Sequence, residues 1–451
     1  MARISGDQGV QLTSKSAEDF FLTEGPLAEK TSQYMNLFTR VHMKYIDFAE
    51  TYIEKQFNGS VNFGSTTTQV DLPEEHDYIE TVAVRLQISV GEVANVAPAT
   101  DAACVFAPNL GYSIIEEFQL KASNVMIDLQ RTNWFNVYKE FFVPQDKLFG
   151  LNKLIGEMTS QDIPLNTVAT VLEIALMTNN HFIKLYTGPQ IAALVQPAQD
   201  LIIPIPLCFG EHHTYALPYI HSSRTTYTAY VKFRSLANVY STSGAGFTVT
   251  HTPEITSASI LTRGCTIDPD LRHMFAQQTN KMIMWEIQEE TQPFTTTTLD
   301  YKVSGIRGPV PMFFPLVREQ EWLDGTNGTN LWNNYTAFGT GFTPITSLEF
   351  RLGSSNTPRY TLTREMIAYL MPYEHLRKTP NEGYNVLPFC LDWKPSELLL
   401  CGTINMNRFT NSSIFITVPL AAVGNICEFI VLAPKITVLK FVGGTVVKEY
   451  Y

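Results

Sequence analysis

The stretch Thr81-Val82-Ala83-Val84-Arg85-Leu86-Gln87-Ile88-Ser89-Val90 puts an apolar residue at every even position and a small or polar one at every odd position. Successive side chains of a strand leave on opposite faces, so a period of two buries one face and wets the other. A helix cannot gather that pattern onto one side. The segment is predicted to be a half-buried strand. Phe118 to Ala122 and Tyr227 to Phe233 read the same way, with Tyr227, Ala229, Val231 and Phe233 sharing a face. So do Leu348 to Leu352 and Ile414 to Val418. From Cys427 to Val447 two β-branched runs follow, interrupted by Pro434 and by Gly443-Gly444.

Helical text is sparse. Residues 1 to about 18 read as a polar arm, and Asp19 to Phe48 as an amphipathic stretch with Tyr34, Leu37, Phe38 and Val41 at helical spacing. Asp268-Pro269-Asp270 is an N-cap followed by proline at the first helical position, and the helix continues through Leu271, Met274 and Phe275. A second helix is expected from Leu129 to Phe142, where Trp134, Val137, Tyr138 and Phe141 form one stripe. Pro144 to Pro197 reads as an insertion, with a helix at Val168 to Met177. Because the Asp268 helix sits near the middle of the chain, it divides the sequence into an N-terminal arm and helix (1–39) and two strand-rich units, 40–267 and 268–451. Strands do not alternate with regular helices, which disfavours a doubly wound α/β fold. The expected class is mainly β, as two tandem antiparallel β-sandwiches with a few short helices.

Apolar residues make up 45% and charged residues 17% of the 451, enough for a large core. The net charge of −11 and the lack of any Lys/Arg run argue against direct contact with nucleic acid. Met1 to Asp7 lacks the apolar segment of a signal peptide, and no stretch reaches the ~20 apolar residues needed to cross a bilayer. Cys104, Cys208, Cys265, Cys390, Cys401 and Cys427 are scattered and form no CxxC pair. They read as buried thiols of a protein folded in a reducing cytosol.

Chemical constellations are weak. His212-His213 beside Glu211 has the right ligand types for a metal, but neighbours in sequence diverge, and a polar loop is the better reading. Glu74-Glu75 and Glu289-Glu290 are acidic pairs expected at solvated turns or helix ends, without the convergence a catalytic dyad needs. HExxH, GxSxG, Walker A and GxGxxG are all absent. No enzyme activity, cofactor or metal is expected. Asn-x-Ser/Thr sequons occur at Asn58, Asn327, Asn334 and Asn411; Asn327 and Asn334, in loop-like text, are the candidates for glycosylation.

Five segments resemble the major capsid proteins of nucleocytoplasmic large DNA viruses, the iridovirus and chlorovirus group. They are Phe21 to Pro26 with Phe38-Thr39-Arg40 and Phe57-Asn58-Gly59; Ile115-Glu116-Glu117-Phe118 through Asp128 to Trp134; Leu201 to Phe209 with Ala216-Leu217-Pro218-Tyr219-Ile220; Ile267-Asp268 through Arg272 to Phe275-Ala276-Gln277; and Gly402-Thr403-Ile404-Asn405-Met406-Asn407-Arg408-Phe409. Met406, Asn407 and His76 depart from the family pattern, as does one extra residue between Leu22 and Pro26.

The resemblance implies a double jelly roll that forms homotrimers, with pseudo-hexameric capsomers tiling an icosahedral shell. Implied partners are neighbouring capsomers, minor capsid and penton proteins, and an internal membrane nearby without insertion. It implies a virion protein assembled in the host cytoplasm. Loops near 95–110, 144–197 and 320–345 would form outward towers. Gly402, Asn405 and Arg408 have two readings: satisfying backbone groups at a turn, or touching a neighbouring subunit. The competing class is a carbohydrate-binding or hydrolytic β-sandwich, which needs an aromatic groove with convergent carboxylates; the five Trp are dispersed.

Overall fold

A computed structural model of the chain describes residues 48–89, 91–95, 103–157, 171–172, 185–186, 193–196, 199–243, 247–276, 279–323, 330–337, 341–353, 360–376, 378–393, 402–409, 411–419 and 426–449. The expected N-terminal arm and helix, Asn327 and most of the 144–197 insertion lie outside these residues.

Before residue 268, eight of the described strands build a roll: β1 (Phe48–Gln56), β2 (Thr68–Asp71), β3 (Tyr78–Ile88), β4 (Ile115–Ala122), β5 (Val125–Arg131), β6 (Gln199–Pro204), β7 (Tyr227–Phe233) and β8 (Ile255–Ile267). They form two antiparallel sheets, in the orders β1-β8-β3-β6 and β2-β7-β4-β5. First pairs with last and so on inward, which is the signature of a rolled-up hairpin, the jelly roll. The alternation that announced β3 is realised there. Val82, Val84, Leu86 and Ile88 are buried, and Val84 lies between Ile260 and Ile203.

The pattern then repeats. Strands β9 (Asn280–Phe294), β10 (Thr298–Lys302), β11 (Met312–Glu319), β12 (Ser347–Arg351), β13 (Tyr360–Thr363), β14 (Leu387–Pro388), β15 (Ser413–Thr417) and β16 (Cys427–Val442) pair as β9-β16-β11-β14 and β10-β15-β12-β13. Adding eight to each strand number of the first roll gives the second. A final strand, β17 (Thr445–Glu449), pairs with β16. The duplication is invisible in the residues and plain in the connections.

Three expectations need correction. The helix placed at Leu129 begins later, as α1 (Thr132–Phe141), because Leu129 and Arg131 are still paired to Gln119 and Glu117 of β4. Pro434 does not break the last segment: it sits inside β16 opposite Ile287. On its other flank, β11 pairs with β16 only as far as Leu432 and β17 pairs with it only from Val438 on, so the missing N–H falls between two neighbours. Within the helix expected at Val168 to Met177, the described residues Val171–Leu172 form a strand paired with Leu185–Tyr186. The Asp268 helix is present as α2 (Pro269–Ala276).

The second roll's β9-β16-β11 sheet is buried on both faces. Phe313, Val317, Phe429 and Val431 belong to a core shared with Leu348, Phe350, Ile414 and Ile416 of the facing sheet. Their neighbours Phe314, Leu316, Ile430 and Leu432 belong to another core, which continues into the first roll through Trp134, Phe135 and Phe141. One apolar core therefore spans both rolls.

Candidate functional site: the junction between the rolls

The junction is built on α1, which leaves β5 with its aromatic stripe aimed at the second roll. Trp134 is fully buried and meets Trp285 edge-on at 5.6 Å and Phe314 at 6.0 Å. Phe141 lies 5.1 Å from Phe314, and Phe142 packs 5.2 Å from Trp393. Such pairs add roughly 0.5–1.5 kcal/mol each beyond the area they bury.

Around this apolar centre the first roll satisfies the second roll's edge strand. The backbone N–H of Trp285 donates to Cys208 Sγ at 3.3 Å, and that of Ile287 donates to Asp128 Oδ1 at 3.2 Å. Two residues on, Glu289 Oε1 accepts from Asn133 Nδ2 at 2.8 Å. Asn133 Oδ1 in turn accepts from Arg318 at 3.0 Å and from the Tyr335 hydroxyl at 2.9 Å. Burial raises the Asp128 carboxyl up to about 7 and also raises Glu289. An edge strand with alternate N–H groups capped by side chains is closed to further pairing.

A cleft of about 600 Å³ opens beside this network, lined by Arg131, Lys232, Arg234, Glu289, Arg318 and Trp332. The Arg234 guanidinium stacks 3.4 Å over the Trp332 ring and donates to the Ser113 carbonyl at 2.7 Å. Burial, then the nearby Arg318 charge, lowers Arg234 to about 9.

Part of the 320–345 stretch, expected as an outward tower, is instead a strap across the junction. Asn330 Nδ2 donates to the Ala237 carbonyl at 3.1 Å and Trp332 Nε1 to the Asn238 carbonyl at 2.7 Å. The only hint in the sequence is the density of amide and aromatic residues in Asn330-Leu331-Trp332-Asn333-Asn334-Tyr335. Asn334 lies in this strap at 2% exposure, its Oδ1 accepting from the Thr336 N–H at 3.0 Å and the Thr336 hydroxyl at 2.8 Å. A folded strap leaves no room for a sugar on Asn334. The linker helix α2 is fixed as well: Arg272 pairs with the buried Asp77 at 2.8 Å, and Asp77 accepts the Ile267 N–H at 2.9 Å.

Gly402, Asn405 and Arg408 lie at a different place, on a turn of the second roll. Gly402 has φ +124°, a conformation side chains disfavour. Asn405 pairs with Pro309, and its side chain accepts the Asn407 N–H at 3.1 Å, capping the turn Met406–Arg408. Asn407 Oδ1 accepts the Gly308 N–H at 3.2 Å, while Arg408 is exposed. Glu211, His212 and His213 diverge: Glu211 accepts from the Tyr138 hydroxyl, His212 Nδ1 accepts the Thr214 N–H, and His213 reaches Glu80 at 3.1 Å. Glu289 and Glu290, expected on a solvated surface, occupy opposite faces of β9; Glu290 accepts from the Tyr301 hydroxyl within the second roll.

Residues 36–285, more than half of the chain, match the family described as "Major capsid protein N-terminus". The chain belongs to the major capsid protein family. It is 24% identical over 282 residues to "Capsid protein 1" of Acanthamoeba polyphaga mimivirus, covering 62% of this chain and 43% of that relative. It thus spans less than half the length of that relative. A "Major capsid protein" of Heliothis virescens ascovirus 3e is 22% identical over 403 residues, covering 82% of this chain and 79% of the relative. The solved Faustovirus major capsid protein superposes with a TM-score of 0.71 at 13% identity, over 91% of this chain and 93% of that one. At that identity the likeness establishes the fold, a double jelly roll, which the strand order gives independently.

Proposed function

We propose that this major capsid protein is the building block of an icosahedral shell of a large double-stranded DNA virus, and that its role is structural. The carrying observation is the repeated eight-strand roll fixed to its twin by one shared core. Two wedges per chain become six in a homotrimer, and a six-cornered block tiles a near-hexagonal lattice. On this reading residues 40–267 form one wedge, 268–451 the other, and 1–39 an inward arm. Neighbouring capsomers, minor capsid and penton proteins are the partners. An internal membrane lies nearby without insertion, and assembly occurs in the host cytoplasm. The net charge of −11 fits a shell that does not touch the genome directly. Sedimentation of the purified chain tests this: a particle of about 152 kDa, three times 50.8 kDa, is expected. A monomer at every concentration and salt would overturn it.

A further inference from the structure

Among the described residues four cations line the cleft between the rolls, and three of them have a carboxylate. Arg131 pairs with Glu117 at 3.3 Å, Lys232 with Glu116 at 2.7 Å, and Arg318 with Glu428. Arg234 forms no such pair among the described residues. Its hydrogen bonds go to neutral oxygens, the Ser113 carbonyl at 2.7 Å and the Thr132 hydroxyl at 3.0 Å. Glu116 acts on it only from beyond ion-pair distance and is already held by Lys232. Yet Arg234 is 7% exposed, and a charge taken out of water costs more than neutral acceptors return.

Its neighbour adds to that cost. Arg318 comes from β11 of the other roll, and both guanidiniums lie against one indole ring, 3.4 Å (Arg234) and 5.2 Å (Arg318) from the centre of Trp332. Each uses only part of the five N–H donors a guanidinium carries, and Arg318 Nε is buried with no hydrogen-bond partner. In the same wall Glu289 Oε2 is also buried and unpartnered, and burial holds this carboxyl towards its neutral, protonated form. The cleft thus joins two like charges and spare donors to acids that are either spent on Lys232 and Arg318 or held neutral.

We propose that this cleft binds an oxyanion of the phosphate class, held between Arg234 of the first roll and Arg318 of the second, with Lys232 at the mouth. A tetrahedral dianion accepts donors from several directions at once, which suits two guanidiniums presented by different rolls; a planar carboxylate is satisfied by a single fork. At about 600 Å³ the cleft exceeds one phosphate group, so a diphosphate, or a phosphate carried on a small organic group, also fits. The chain carries −11 in all, so its overall field repels anions and the site acts locally. The occupant bridges the two rolls and the strap through Trp332, and binding therefore stabilises their junction. It does so within a single chain, whatever the oligomer.

The test is equilibrium dialysis of the full chain at neutral pH against labelled orthophosphate and pyrophosphate, with ionic strength held constant by chloride. One saturable site per chain is expected, tighter for pyrophosphate and not displaced by acetate. Glycerol phosphate as competitor separates the two sources: displacement admits a phosphate carried on a larger molecule, and its failure restricts the site to the free anion. Arg234→Gln should weaken binding by at least about tenfold. Glu289→Gln keeps the contact to Asn133, removes an acid, and should bind at least as tightly as wild type. Lys232→Gln alters an exposed side chain and should weaken binding about threefold, a readout that stands if Arg234→Gln does not fold. Wild-type tryptophan emission should respond to pyrophosphate with the same midpoint, and Trp332→Phe should lose that response. No saturable binding to native wild type below about 10 mM, equal displacement by acetate, or a folded Arg234→Gln or Lys232→Gln that binds like wild type overturns the proposal.

Discussion

Asp128→Asn isolates the electrostatic cost of the junction. Asp128 is 1% exposed and accepts from the Ile287 N–H of the other roll, from the Leu129 N–H at 2.9 Å and from Gln130 at 2.6 Å. Those bonds favour the carboxylate, but burial outweighs them and lifts the group from 3.8 to about 7, with Glu286 adding a smaller push. The sign is therefore opposite to that of a salt-bridged aspartate. Between pH 4 and 7 the folded chain holds a proton that the unfolded chain releases, so raising the pH through this window destabilises the fold. A difference of about 3 units corresponds to roughly 4 kcal/mol. Asparagine keeps the acceptor for Ile287 and removes the titration. Glu211, also raised to about 7 by burial, titrates in both proteins and cancels in the comparison. Urea unfolding at pH 4, 5, 6, 7 and 8, followed by tryptophan fluorescence, should show the two proteins closest in stability at pH 4. The variant should gain on wild type progressively up to about pH 7 and change little beyond it. A difference that stays constant across this range would refute the reasoning.

Other outcomes follow from the same geometry. Trp134→Ala removes one of the largest side chains of the shared core and should lower stability by about 3–5 kcal/mol in chemical denaturation; a loss below about 1 kcal/mol would mean the rolls do not share a core. Asn405→Ala should cost about 1 kcal/mol of thermal stability through loss of its turn cap while leaving the oligomer mass unchanged, and a fall in mass would make Asn405 a subunit contact. Because each chain carries −11, lattice assembly should require salt or divalent cations whereas the trimer should not; trimers that dissociate together with the lattice in sedimentation would contradict this.

Strands with one wet face were legible because alternation records which side is buried. Tyr227 to Phe233 matches β7 end to end, and Ser347–Arg351 and Ser413–Thr417 lie within a residue of expectation. The junction was not legible, for a physical reason. Its partners are far apart in sequence, as with Asn133 and Glu289, and no local period marks them. Glu289 has the text of a surface acid and becomes a junction residue only when the second roll closes on α1. β11 reads as apolar without alternation because it is buried on both faces, the usual mark of an interior strand. Trp332 looked like loop text for the same reason: what fixes it is a carbonyl from the other roll.

Electron cryomicroscopy of the purified oligomer tests most directly whether two fixed rolls per chain make a six-cornered block. The account predicts a threefold particle with six roll-shaped densities around its axis, alternating between contacts within and between chains. A particle with three densities, or with two rolls of one chain separated and variable in angle, would contradict it.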